Sequence, residues 1–266
     1  MWKIFVSLII FSFLNLSLKS QVANIDREIS NDSAFKKNEF SGVFAISSDK
    51  QKNNIIDLST NFEFDKNFKN KYVFITNFRN DAVFFGNSNV QNEGLIHFRY
   101  RDRDTRKIST EEFVQYQWNG AWGLESRYLT GINLRVKITD KKDFDFYYGS
   151  GLFYEWEKWN WSGVKDEDLI TINQANKTRE MLRLNQYLKF AGKLSKTLDL
   201  AAVSFLQFPM KGQFFSPRWY FETNAYLLIG KHFNLVLHWD HTLDQNTLVP
   251  IDDFYYGFST GLQINF

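Results

Sequence analysis

The chain has no cysteine, which excludes disulfides, thiol chemistry and a lipid anchor built on an N-terminal Cys. Proline is nearly absent, with three in 266 residues, and only four histidines are available to any site chemistry. Long apolar runs are missing as well. A helical membrane protein would carry several runs of about 20 apolar residues, whereas only the N-terminus has such a run and the mean hydropathy is -0.38. Excess charge is also lacking. The formal net charge is +2, and residues 1–20 contribute Lys3 and Lys19 without a carboxylate, so the remainder is neutral. That balance argues against a nucleic-acid partner.

Aromatic residues are abundant: 28 Phe, 12 Tyr and 8 Trp make up 18% of a chain that is polar on average. A strand that crosses a membrane needs only every second residue to be apolar, so this combination suits a membrane barrel better than a helical bundle. At the N-terminus, Lys3 precedes an apolar stretch from Ile4 to Leu18, followed by Lys19-Ser20-Gln21. A basic start, a short apolar core and a small residue predict a secretory signal peptide over 1–20, cleaved after Ser20. Residues 21–38 are polar and unpatterned and read as a periplasmic lead-in.

From residue 39 onward, apolar and polar residues alternate with the two-residue repeat that sends successive side chains to opposite faces of a strand. Twelve such segments stand out: 40–46, 56–64, 72–78, 96–100, 114–118, 128–138, 144–156, 182–190, 198–208, 219–229, 233–239 and 254–266. The pattern predicts an all-β fold, a transmembrane up-and-down antiparallel β-barrel of about twelve strands over 39–266. Closure would remove both sheet edges and satisfy every backbone group in lipid. Short links at 140–143, 193–197 and 230–232 mostly alternate with longer ones at 79–93, 157–178, 209–217 and 242–253, as inner turns and outer loops of a barrel do, with the short link 119–125 and the longer turn 101–110 as exceptions.

One apolar row per segment predicts a lipid-facing wall, with Trp118, Trp122, Trp156, Trp159, Trp161, Trp219 and Trp239 as an aromatic girdle. The opposite row predicts a wet lumen holding a charge network: His97, Arg99, Arg101, Glu111, Arg135, Lys137, Glu155, Arg179, Arg183, Lys189 and Glu222. Cationic and acidic segments alternate there, so neighbouring strands can cross-link through ion pairs. The final segment, with Tyr256, Phe258, Leu262, Ile264 and Phe266, has the form of a barrel-assembly signal closing on a C-terminal aromatic.

Two stretches resemble an outer-membrane barrel family of unknown function, family 481 (DUF481), some of whose members are called salt-stress-induced outer membrane proteins. One is Glu111-Glu-Phe-Val-Gln-Tyr-Gln-Trp-Asn119 followed by Leu124, Arg127, Leu129, Gly131 and Leu134-Arg135. The other comprises Leu200 to Phe208, Ser216-Pro217-Arg218 and the last segments through Ser259-Thr-Gly-Leu262. The resemblance implies an outer-membrane barrel and brings no reaction with it.

No phosphate-binding glycine loop, metal-ligand cluster or nucleophile elbow is present. His238 and His241 are three apart, so a strand turns them to opposite faces and they cannot hold one metal together. The expectation is therefore a monomeric, non-enzymatic barrel without cofactor or metal in a Gram-negative outer membrane, structural or weakly channel-forming. It would meet outer-membrane lipids and, during biogenesis, the barrel-assembly machinery. The alternatives are a passive pore for small anionic solutes, favoured by the cationic stripe, and a membrane-embedded lipid hydrolase using His241 and Ser259.

Overall fold

The computed structural model describes residues 39–50, 54–68, 72–86, 88–102, 107–141, 143–164, 176–212, 214–230 and 233–264. The expected signal peptide over 1–20, the lead-in over 21–38 and Phe266 lie outside the described residues. Twelve strands follow one another: β1 (Glu39–Lys50), β2 (Asn54–Phe68), β3 (Tyr72–Phe85), β4 (Ser88–Asp102), β5 (Ile108–Asn119), β6 (Leu124–Lys141), β7 (Phe144–Trp159), β8 (Lys177–Lys193), β9 (Leu198–Pro209), β10 (Arg218–Gly230), β11 (Phe233–Leu243) and β12 (Phe254–Ile264). They form one all-β, up-and-down sheet in strict sequence order, and every neighbouring pair is antiparallel.

The strands follow from the alternation. On β6, Tyr128, Ile132, Leu134 and Ile138 are exposed, while Arg127, Leu129, Asn133 and Arg135 between them are buried. On β8, Leu182 and Leu188 face out while Arg183, Asn185, Tyr187 and Lys189 face in. Aromatic rings on the outer face meet across strands in register: Tyr116 lies opposite Tyr128 at 4.8 Å, and Tyr128 opposite Trp156 at 5.6 Å. Such cross-strand pairs add to the stability of the ladder and fix its register.

The sheet is rolled so that its polar face turns on itself. Tyr187 on β8 donates to Glu111 on β5 at 2.6 Å, and Arg218 on β10 reaches Glu155 on β7 at 2.6 Å. Arg79 on β3 lies within electrostatic reach of Glu222 and Asp240 on β10 and β11. The ladders run from β1 to β12, and among the described residues none joins β12 back to β1. The roll is held by contacts across the interior, not by a ladder closing the two edges.

Two features depart from the sequence expectation. The link at 79–93 is not a loop: β3 runs to Phe85 and β4 starts at Ser88, with a tight turn at Gly86, whose φ of 62° suits glycine. The interior is also not uniformly polar. A belt of buried Phe113, Leu129, Phe153, Tyr187, Val203, Phe205 and Tyr220 fills its middle. Every belt residue except Phe205 shares its strand face with a charged residue two or four positions away, as Phe153 does with Glu155 and Leu129 with Arg127.

Candidate functional site

Above the belt, toward the end of the sheet that carries the 160–176, 210–217 and 244–253 connections, four arginines converge on three carboxylates. Glu155 is at the centre. It accepts from Arg183 Nε at 2.5 Å and from Arg218 Nη1 at 2.6 Å, and Arg127 Nε approaches to 3.2 Å. Glu157, two residues on and therefore on the same face, takes Arg127 Nη2 at 2.9 Å and Arg179 Nε at 2.7 Å. Asp244, just beyond β11, takes Arg218 Nε at 2.6 Å. Glu155, Glu157, Arg127, Arg183 and Arg218 are fully buried. Burial opposes the charge on Asp244, but Arg218, Arg183 and Arg127 outweigh it and hold the carboxyl below its ordinary range.

An apolar cap covers this cluster. Trp122, Leu124, Trp159, Trp161, Val164 and Val249 form a second buried core, with Leu248, Ile251 and Tyr255 packed against it. A single 3-10 turn, Gly120–Trp122, aims Trp122 inward. Asn119 Oδ1 accepts the Trp122 N–H at 3.0 Å, and Gly123 ends the turn at a φ of 79° that a side chain would strain. Arg127 lies 5.7 Å from the Trp159 ring, which couples cap and charges.

Below the belt is a second cluster. Glu111 takes Arg101 Nε at 2.6 Å, lies 3.5 Å from Arg135 Nη1 and accepts from Tyr187. Arg99, Arg101, Arg135 and Lys189 surround this one carboxylate at a cavity of about 10 Å³, room for a single water. Arg135 also stacks on Tyr147 at 3.6 Å, and Lys137 pairs with Asp145 at 3.1 Å nearer the short turns. His97 meets Gln115 Oε1 at 2.9 Å. On the β10–β11 side, Tyr220 donates to Glu222 at 2.8 Å, and His238 meets Asn224 at 2.8 Å and Asp240 at 3.2 Å.

The structure therefore places His97, Arg99, Arg101, Glu111, Arg135, Lys137, Glu155, Arg179, Arg183, Lys189 and Glu222 on the inner face, in layers above and below the belt. Sequence reasoning missed Arg127, Arg218 and Asp244. Parity was available for the first two, since Arg127 shares a face with Arg135 and Arg218 with Glu222.

The tryptophans divide. Trp118, Trp156, Trp219 and Trp239 lie on the outer face. Trp122, Trp159 and Trp161 do not belong to an outer girdle: they are buried in the cap, because Trp159 has the parity of Glu157 and the other two sit in connections that fold inward. In the last segment, Tyr256 and Phe258 face outward, while Leu262 and Ile264 lie on β12.

His238 points inward and His241 outward, where Trp219, Phe221, Trp239 and Phe254 surround it at 4.5 to 5.9 Å. The β11–β12 register sets His241 opposite Tyr256 and Ser259 opposite His238. The backbones of His241 and Ser259 are thus offset by three positions, about 10 Å along the strand, too far for a nucleophile and its base.

The sequence matches no protein-family model, and no curated protein matches it. Among solved structures the chain is similar to a NanC porin, with a TM-score of 0.45 and 11% identity over 86% of this chain and 99% of that one.

Proposed function

We propose that the protein is a monomeric outer-membrane β-barrel of a Gram-negative bacterium, non-enzymatic, with a closed interior. Its outer face supports the membrane setting. Exposed Phe, Tyr, Leu, Ile and Trp line strands β2 to β12, a surface that water would not tolerate over such an area and that hydrocarbon accepts. Its partners on this reading are outer-membrane lipids and, during biogenesis, the barrel-assembly machinery. The β5–β6 hairpin motif supports kinship with family 481.

The closed interior rests on one observation: Glu155, Glu157, Arg127, Arg183 and Arg218 are fully buried between an apolar belt and an apolar cap. Ion pairs lining an aqueous pore would be solvated, and these are not. The test is planar-bilayer recording of the refolded protein, with silent membranes as the expected outcome. A steady anion-selective current would overturn closure and favour the second reading, a passive pore for small anionic solutes. The excess of Arg99, Arg101, Arg135 and Lys189 over Glu111 at the lower cavity supports that alternative.

A further inference from the structure

The connection between β11 and β12 is folded into the mouth of the sheet. Among the described residues, Asp244 is the one carboxylate of the upper cluster that no strand carries, since Glu155 and Glu157 both belong to rigid β7. Its Oδ2 accepts from Arg218 Nε at 2.6 Å, and its Oδ1 accepts from the backbone N–H of Asn246 at 3.1 Å. Asn246 fastens the loop in turn: its carbonyl accepts from Arg179 at 2.6 Å and its side-chain amide donates to the Ser216 carbonyl at 2.6 Å. Val249 is inserted among Trp122, Trp159 and Trp161.

The arginines beneath are over-provided. Four guanidiniums face three carboxylates, and the Nη2 groups of Arg183 and Arg218 are buried without a hydrogen-bond acceptor. Buried donors of this kind are costly unless satisfied. Withdrawal of the loop would leave four guanidiniums against two carboxylates, with Arg218 Nε released from Asp244 in addition to the two unsatisfied Nη2 groups. Guanidinium forks recognise a planar two-oxygen anion by paired N–H donors.

We propose that Arg183 and Arg218 form a binding site for a small monocarboxylate, and that Asp244 is its tethered occupant, a carboxylate on a loop that a free carboxylate displaces. The loop thereby acts as an internal competitor. It keeps the cluster neutralised when ligand is scarce and yields the arginines when a carboxylic acid accumulates outside. The inference rests on the buried cluster just assigned to a closed interior, but its test needs no membrane current, so the two can fail separately.

The test is rescue of Asp244→Ala by acetate. Full-length protein is refolded in detergent, and thermal unfolding is followed in sodium acetate, chloride or methanesulfonate at equal ionic strength. In acetate well above its dissociation constant, Asp244→Ala gains on the order of 3 °C in Tm over chloride. The wild type, whose site is occupied, gains less, and Asp244→Ala combined with Arg218→Met gains nothing. Equal melting of Asp244→Ala in all three salts overturns the proposal, as does an equal gain in the double variant. If Asp244→Ala does not fold in chloride, its folding yield in acetate becomes the readout: recovery upholds the site, and failure in both salts overturns it.

Discussion

Replacing Glu155 by Gln separates a dry interior from a wet one. The substitution keeps volume and one acceptor oxygen, so it leaves no cavity, but it removes the charge on which Arg127, Arg183 and Arg218 converge. Arg218 retains Asp244 and Arg127 retains Glu157. Arg183 loses its only carboxylate partner among the described residues and keeps the Gln207 carbonyl, at 3.4 Å. Breaking a fully buried ion pair on one side costs about 3–5 kcal/mol, because the surviving charge is left in a medium that cannot solvate it. The same change in a solvated pair costs about 1 kcal/mol or less. Glu125 with Lys158 supplies that control, at the same 2.5 Å but partly exposed. The assay is urea-dependent folding in detergent, followed by tryptophan fluorescence and by mobility on unheated gels. Glu155→Gln is expected to lose about 3–5 kcal/mol, and adding Arg183→Met should recover part of that loss because it removes the stranded charge. A loss below about 1 kcal/mol, matching Glu125→Gln, would mean that water reaches the cluster and would refute the closed interior.

The division of the tryptophans is open to quenching by lipids brominated in their acyl chains. Single-Trp variants retaining Trp118, Trp156, Trp219 or Trp239 should be quenched, and those retaining Trp122, Trp159 or Trp161 should not; equal quenching of Trp156 and Trp159 would contradict the assigned faces. Acid should loosen the mouth. Asp244 has a folded pKa below its unfolded value of about 3.9, so its contribution is complete above that value and fades as pH falls toward the lower folded one. Urea midpoints measured downward from about pH 5 should fall below about pH 4, less steeply in Asp244→Asn; identical slopes would show that the acid response has other origins.

The strands were legible because one face of each is apolar and parity is unambiguous over most of their length, as in 128–138 and 182–190. Legibility failed wherever both faces carry the same character. The β3–β4 hairpin reads as a loop because Asn80, Asp81 and Asn92 put polar groups on both faces. There the outer polar groups pair with each other, Asn80 with Asn92 at 3.1 Å, and with Trp118. The belt was hidden for the opposite reason: Phe153 and Phe205 stand on the inner face beside outward Leu152, Tyr154 and Leu206, so 152–154 and 205–206 look apolar throughout. Misplacing three tryptophans came from reading composition where parity was decisive, since Trp159 follows Glu155 and Glu157 at two-residue steps. Asp244 required the loop's path, which no periodicity encodes.

The vertical order of these layers decides what the mouth can do. Ion pairs alone can rearrange and admit water, but Phe113, Leu129, Phe153, Tyr187 and Phe205 come from five different strands and interlock beneath the upper cluster. Movement of one connection cannot part residues on five strands that four ladders join. On the closed reading proposed above, release of the 244–253 loop would uncover Arg183 and Arg218 from one side while the belt stays in place below them. On that reading a carboxylate entering there is held and not passed on, and passage requires the sheet itself to expand.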